Sequence, residues 1–194
     1  MPDGVRHERA VPLPNGSRIA GLFARADLAD AYAIQLPPGS SRDVETLARF
    51  MLGEQAPWVR FLMGLRDTLV AGFGIKTSRQ LREAPTLEAS DRIYIFRVYA
   101  TCEEEMILGE DDKHLDFRIS VLLRSDAVES GGKNDIVVTT VVHCHNLLGR
   151  SYLALISGFH RLVVRSILHR AARRGWPKGG AATQCAAAPQ AEGI

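Results

Sequence analysis

Four strand-like segments lie close together in the second half of the chain, and one long helical segment follows them directly. The four segments span residues 93–101, 104–110, 114–124 and 136–146, and the breaks between them are short. Short breaks imply antiparallel neighbours, because parallel strands need a crossover of about a dozen residues or more. The helical segment covers residues 147–174, or about 42 Å of α-helix. The pattern predicts an antiparallel sheet with one face covered by this helix.

The first half of the chain adds one strand and one helix that ends at a glycine. Residues 31–36 are a candidate for a short strand, and the prolines and glycine that follow cannot continue a ladder. Ser40 or Ser41 is the expected N-cap of a helix, because acids follow in its first turn. Apolar residues then recur at helical spacing as far as Gly53.

A second helix is predicted from Pro57 to about Phe73, since proline is well placed at a first helical position. The predicted order is therefore β-α-α-β-β-β-β-α, an α+β fold. The chain lacks both the strand–helix–strand alternation of parallel sheets and a glycine-rich phosphate loop. A doubly wound nucleotide-binding fold is therefore not expected.

The ends of the chain differ from its middle in composition. Residues 1–17 are rich in proline, glycine and charge, and we interpret them as a flexible N-terminal arm. Residues 175–194 contain little that could be buried, which predicts a disordered tail. One domain over residues 18–174 remains, and 46% hydrophobic residues in the chain suffice for its core.

Charge and cysteine content limit the partners and the compartment. The net charge of +2 gives no reason to expect nucleic acid as a partner. Acids concentrate in residues 103–116 and arginines in residues 150–174, which we interpret as two solvated faces. Three cysteines without paired spacing fit a reducing compartment. With neither a signal-peptide pattern nor an apolar run that could span a membrane, the cytoplasm is the expected location.

Three segments carry a resemblance to known proteins: residues 108–121, 139–153 and 159–172. They resemble a bacterial family of uncharacterised proteins, a domain of unknown function. The element order is similar to the START-like, or SRPBCC, helix-grip superfamily. This resemblance implies a curved antiparallel sheet, with a small hydrophobic or amphipathic ligand held between the sheet and the C-terminal helix. It implies no cofactor, and we expect none.

Polar residues on two predicted strands are the catalytic candidates. Alternate residues of a strand share a face, so His114, Asp116 and Arg118 are expected together. On the last strand His143 and His145 share a face, and either could approach Asp116. An Asp–His pair of this kind is a plausible general base. The competing interpretation places these residues on a water-exposed face, because burying unpaired charge is costly. Nothing in the sequence fixes a third ligand beside the two histidines, so we expect no metal there.

Five further residues are candidates for lining a ligand cavity, although each is also an ordinary core residue. His160 lies beside the apolar stripe of the last helix, where we expect Phe159 to face the sheet. The full set is Trp58, Tyr99, Tyr152, Phe159 and His160.

Three functional hypotheses follow. The first is a module that binds a small hydrophobic or amphipathic molecule without chemistry of its own. The second is a cofactor-independent enzyme of the cyclase, hydratase or isomerase type, which would use a His–Asp pair in the cavity. The third is an accessory domain that forms homodimers or binds a partner through its charged outer face.

Overall fold

The structure is a computed structural model that describes residues 7–53, 57–59, 92–126 and 133–179. Within those ranges it confirms the predicted α+β class, with a seven-stranded antiparallel sheet in the order β1-β2-β7-β6-β5-β4-β3 and a long C-terminal helix. The strands are β1 (Arg9–Ala10), β2 (Leu28–Gln35), β3 (Arg92–Ile93), β4 (Phe96–Thr101), β5 (Glu105–Asp111), β6 (Leu115–Asp126) and β7 (Lys133–Cys144). The helices are α1 (Val44–Leu52) and α2 (Leu147–Arg174), and a 3-10 helix spans Ala20–Arg25.

The two predicted helices whose residues are described both end where the sequence predicts. Helix α2 has the predicted bounds, and the Asn146 side chain caps it by accepting from Gly149 N at 3.0 Å. Helix α1 ends at Gly53 as predicted. Beyond Pro57–Val59, which are helical, the predicted second helix lies outside the described residues.

The N-cap of α1 is Asp43, so the prediction of Ser40 or Ser41 was wrong. The Asp43 carboxylate accepts from Thr46 N at 3.0 Å and also from the Thr46 hydroxyl. Hydrogen bonding to the Thr46 side chain is the main reason that the pKa of Asp43 lies below its usual value. Ser41 instead accepts from Asp43 N. A carboxylate at the cap also suits the positive end of the helix dipole better than a hydroxyl does.

Two strands were not predicted from the sequence. Residues Arg9 and Ala10 form edge strand β1, which pairs with Ala33 and Tyr32 of β2 inside the segment that we interpret as an arm. The predicted strand 93–101 is divided into β3 and β4 by a two-residue turn, where Tyr94 has a φ of 59°. A non-glycine residue in this left-handed region is uncommon, and the turn lacks the usual asparagine or glycine.

The main core lies on one face of the sheet, which we call the inner face because α1 and α2 cover it. Fully buried side chains of β2, β5 and β7 meet α1 and the second half of α2 there. A second, smaller apolar cluster lies on the same face under the first half of α2. Residues just beyond α2 add to the main core, since buried Trp176 packs against Phe50 with ring centroids 6.0 Å apart and ring planes at 45°.

The opposite face, which we call the outer face, is partly covered by the segment before β2. Val11 and Leu13 pack on an apolar cluster of Ala31, Ala33 and Val137. No helix among the described residues is both long enough and apolar enough to cross a membrane.

Candidate functional site

On the inner face, the apolar residues of β2, β7 and α2 are each interrupted by one polar residue, and these polar residues lie beside one another. Asp30 on β2 and Thr140 on β7 are register partners in the sheet, and His160 is the residue of α2 that faces them. Apolar residues of the second cluster lie on one side of this level, namely Leu28, Val142, Leu153 and Ile156. Residues of the main core lie on the other side, namely Tyr32, Val138, Val164 and Ile167. We call Asp30, Thr140 and His160 the interior polar cluster.

The interior polar cluster contains a histidine–carboxylate pair. His160 Nε2 lies 3.2 Å from Asp30 Oδ1, and the two side chains are only 21% and 18% exposed. Thr140 is buried beside them. When Nε2 carries the imidazole proton, it donates to Oδ1 and leaves Nδ1 as an acceptor. A histidine held in this way by a carboxylate can serve as a general base or as an oriented hydrogen-bonding group.

The second oxygen of Asp30 sets the cluster apart from an ordinary ion pair. Asp30 Oδ2 is buried and has no hydrogen-bond partner among the described residues. Most buried polar atoms in native proteins are hydrogen-bonded, because an unpaired one carries a desolvation cost of about 1–3 kcal/mol. The arrangement therefore leaves an acceptor between two apolar clusters, where a ligand with a hydrogen-bond donor would satisfy it.

The ligand candidates predicted from the sequence do not all lie at the interior polar cluster or the apolar clusters beside it. His160 belongs to it, and Tyr152 packs on the second apolar cluster of the inner face. Phe159 is 50% exposed on the other side of α2, and Trp58 is 41% exposed. The prediction that Phe159 faces the sheet was therefore wrong, because the buried stripe of α2 runs through Leu153, Val164 and Leu168 instead.

Tyr99 lies on the outer face, in a polar group with Arg118 and Asp111. The Arg118 guanidinium stands 3.9 Å from the Tyr99 ring centroid and lies 2.7 Å from Asp111. The Tyr99 hydroxyl donates to Asp111 at 2.7 Å. Burial first, and then this hydrogen bond, raise the pKa of Tyr99 to about 12. The group is satisfied internally and faces away from the interior polar cluster.

Three of the four catalytic candidates, Asp116, Arg118 and His143, lie on the outer face of the sheet. Asp116 and His143 are register partners on the outer face, but Asp116 pairs with His145, with 2.9 Å between carboxylate and imidazole. The His143 ring donates to the carbonyl of Arg25 at 3.0 Å. Of the two histidines that we considered as partners of Asp116, His145 forms the pair and His143 does not.

His114, the remaining catalytic candidate, precedes β6, and its ring accepts from the Asn146 amide at 3.0 Å. Its contact is thus with the residue that caps α2.

Sequence reasoning found His160 but missed Asp30, because we began the first strand at Ala31. The alternation of Leu28, Asp30, Tyr32 and Ile34 places an acid on an otherwise apolar strand face. An acidic residue at an inward-facing strand position was the feature of the sequence from which Asp30 could have been identified.

Comparison with known proteins assigns the family. A family model described as "Protein of unknown function (DUF2867)" matches residues 22–167. The chain belongs to the DUF2867 family. The matched span includes all three residues of the interior polar cluster in this DUF2867 protein. Neither a curated protein nor a solved structure matches the chain.

Proposed function

We propose that this DUF2867 protein binds a small amphipathic molecule between α2 and the inner face of the sheet. The observation that carries the proposal is Asp30 Oδ2, a buried acceptor without a partner among the described residues. The START-like helix-grip proteins that the sequence resembles hold their ligands in the corresponding place. In this proposal the fold is a member of that superfamily.

The surroundings of Asp30 define the chemistry of the ligand. The free acceptor requires a donor, such as a hydroxyl, an amine or an amide N–H. Apolar clusters on both sides of the interior polar cluster suit an apolar body attached to that donor. His160 orients the Asp30 carboxylate and offers a second polar contact through Nδ1.

Native mass spectrometry of the protein purified without denaturation tests this function. The wild-type protein is expected to retain a small molecule that is released on denaturation. Asp30→Ala should weaken its binding by about 10-fold to 150-fold, since a hydrogen bond to a charged group contributes about 1.5–3 kcal/mol. His145→Ala is the matched control, because His145 also pairs with an aspartate but on the outer face.

Two results would count against the proposal. One is a retained molecule whose affinity is the same in wild type and Asp30→Ala. The other is wild-type protein that retains nothing and shows no thermal shift with a panel of amphipathic alcohols, amines and amides.

A second function, acid–base catalysis at the same place, is favoured by the hydrogen bond between His160 and Asp30. The reaction would be of the cyclase, hydratase or isomerase type, with His160 moving a proton at the donor end of the substrate. His160→Gln should then abolish turnover of the retained molecule while leaving its binding largely intact. Equal turnover by wild type and His160→Gln would exclude this function.

The contribution of the interior polar cluster to the stability of the fold can be measured independently of any ligand. His160→Leu alone should destabilise the protein by about 1–3 kcal/mol, because it leaves the Asp30 carboxylate unpaired. The double variant Asp30→Leu/His160→Leu should recover that loss or exceed wild-type stability, as replacement of buried ion pairs often does. Urea unfolding measures the free energy of unfolding of the single and double variants. A double variant that is less stable than either single variant would show that the fold requires the Asp30–His160 pair.

A further inference from the structure

Two histidines and a glutamate meet where the N-terminal edge of the sheet approaches the second half of α2. His7 and Glu8 directly precede β1, and His169 lies on α2. One potential ligand atom from each residue lies within 4.8 Å of the other two. His169 Nδ1 is 3.9 Å from Glu8 Oε2, and the His7 and His169 rings stack with centroids 6.5 Å apart. This group is separate from the interior polar cluster.

The Glu8 carboxylate is held with one oxygen directed to the histidines. Arg165 Nε donates to Oε1 at 3.0 Å, which fixes the orientation of the carboxylate. Oε2 is buried and has no hydrogen-bond partner among the residues that the structure describes. The Glu8 side chain is only 10% exposed, although it stands beside the end of the sheet. A buried, unpartnered carboxylate oxygen beside two imidazoles is a strong acceptor for a cation.

We propose that His7, Glu8 and His169 bind Zn²⁺. Two imidazole nitrogens and one carboxylate oxygen form a donor set that zinc uses, with water completing a tetrahedron. Bonds of about 2.0–2.1 Å bring tetrahedral ligand atoms to roughly 3.4 Å from one another. The ligand atoms, which now lie within 4.8 Å of one another, therefore need to approach by at most about 1.4 Å, through rotation of the exposed His7 ring and the His169 ring.

Bound zinc would tie the start of the sheet to α2. Glu8 and His7 belong to the segment that leads into β1, and His169 belongs to the helix that covers the inner face. A metal that binds only the folded arrangement stabilises it, and this stabilisation grows with the logarithm of the metal concentration above the dissociation constant. Bound zinc is therefore expected to raise the melting temperature of the full chain.

Isothermal titration of the full chain with ZnCl₂ tests the proposal, with MgCl₂ as the metal control. We expect one zinc ion per chain and no binding of magnesium, which prefers oxygen ligands. His169→Ala and His7→Ala should each weaken zinc binding by at least about 10-fold, since loss of even a supporting partner of a metal ligand costs that much. His7 is exposed, so its removal should leave the fold intact.

The matched controls are His143→Ala and His145→Ala, whose rings lie 5.5 Å apart on the outer face and form the rival histidine pair. They should bind zinc as the wild type does. Substitution by Co²⁺ adds a spectroscopic test, because a tetrahedral site gives strong visible absorption that His169→Ala should lose. Zinc binding that is unaffected by both His7→Ala and His169→Ala, or the absence of saturable binding, would overturn the proposal.

Discussion

Glu105→Ala is expected to destabilise the protein by about 3 kcal/mol or more. Glu105 is 4% exposed on the outer face, where its carboxylate accepts three hydrogen bonds. Ser17 Oγ and Ser120 Oγ donate at 2.6 Å and 2.5 Å, and Arg18 N donates at 2.9 Å. Removing the carboxylate deprives three donors of this acceptor and removes one of the attachments that hold the segment before β2 to the sheet. Hydrogen bonds to a charged group are worth more than neutral ones.

Urea unfolding measures this loss, and the neighbouring residue supplies a control. The Glu104 side chain is exposed, while its backbone carbonyl accepts from Leu123 N whatever the side chain is. Glu104→Ala should therefore change the free energy of unfolding by no more than about 0.5 kcal/mol. If Glu105→Ala lowers the free energy of unfolding no more than Glu104→Ala does, the three hydrogen bonds do not anchor the N-terminal segment.

Gly149→Ala is expected to destabilise the protein by about 1–3 kcal/mol, although alanine is the better helix former. A Cβ at position 149 would lie 2.2 Å from the backbone carbonyl oxygen of His114. That oxygen already accepts from His145 N at 2.9 Å, so it cannot move freely. The first turn of α2 can approach the end of the sheet this closely only because residue 149 has no side chain.

Gly158→Ala in the same helix should have the opposite effect on the free energy of unfolding. A Cβ at position 158 meets nothing within 4 Å, so the substitution should stabilise the protein by about 0.5–1 kcal/mol through helix propensity alone. Thermal unfolding of the two variants side by side measures the difference. Stabilisation by both substitutions would mean that α2 does not contact His114 as described.

The parts of the fold that were predictable are those encoded locally. Helix α2 has its predicted bounds because Asn146 caps it and an uninterrupted helical pattern follows. Strands β5, β6 and β7 overlap their predicted segments because β-branched runs and polar turns are close together in the chain. Each of these signals acts over a few residues.

The parts that were missed depend on partners distant in the sequence. Strand β1 is two residues long, and only pairing with β2 makes it a strand. The turn at Tyr94 has no turn-forming residue of its own. The rotation of α2 about its axis, which leaves Phe159 outside, is set by the sheet that it covers.

The candidate site shows the same division. His160 could be selected from the helical pattern alone, but its partner Asp30 is 130 residues away in the chain. Only the register of β2 on β7 places Asp30 beside Thr140 and under α2. The sequence showed that β6 has a charged face, but it did not show which side of the sheet that face occupies. In the structure Arg118 and Asp116 lie on the outer face.

A crystal structure of the protein purified with its retained molecule is the decisive test of the proposed ligand site. We expect electron density for that molecule between α2 and the inner face, with a donor atom about 2.7–3.2 Å from Asp30 Oδ2. Density at another place, or a protein side chain that donates to Oδ2 and occupies the position proposed for the ligand, would disprove ligand binding at Asp30.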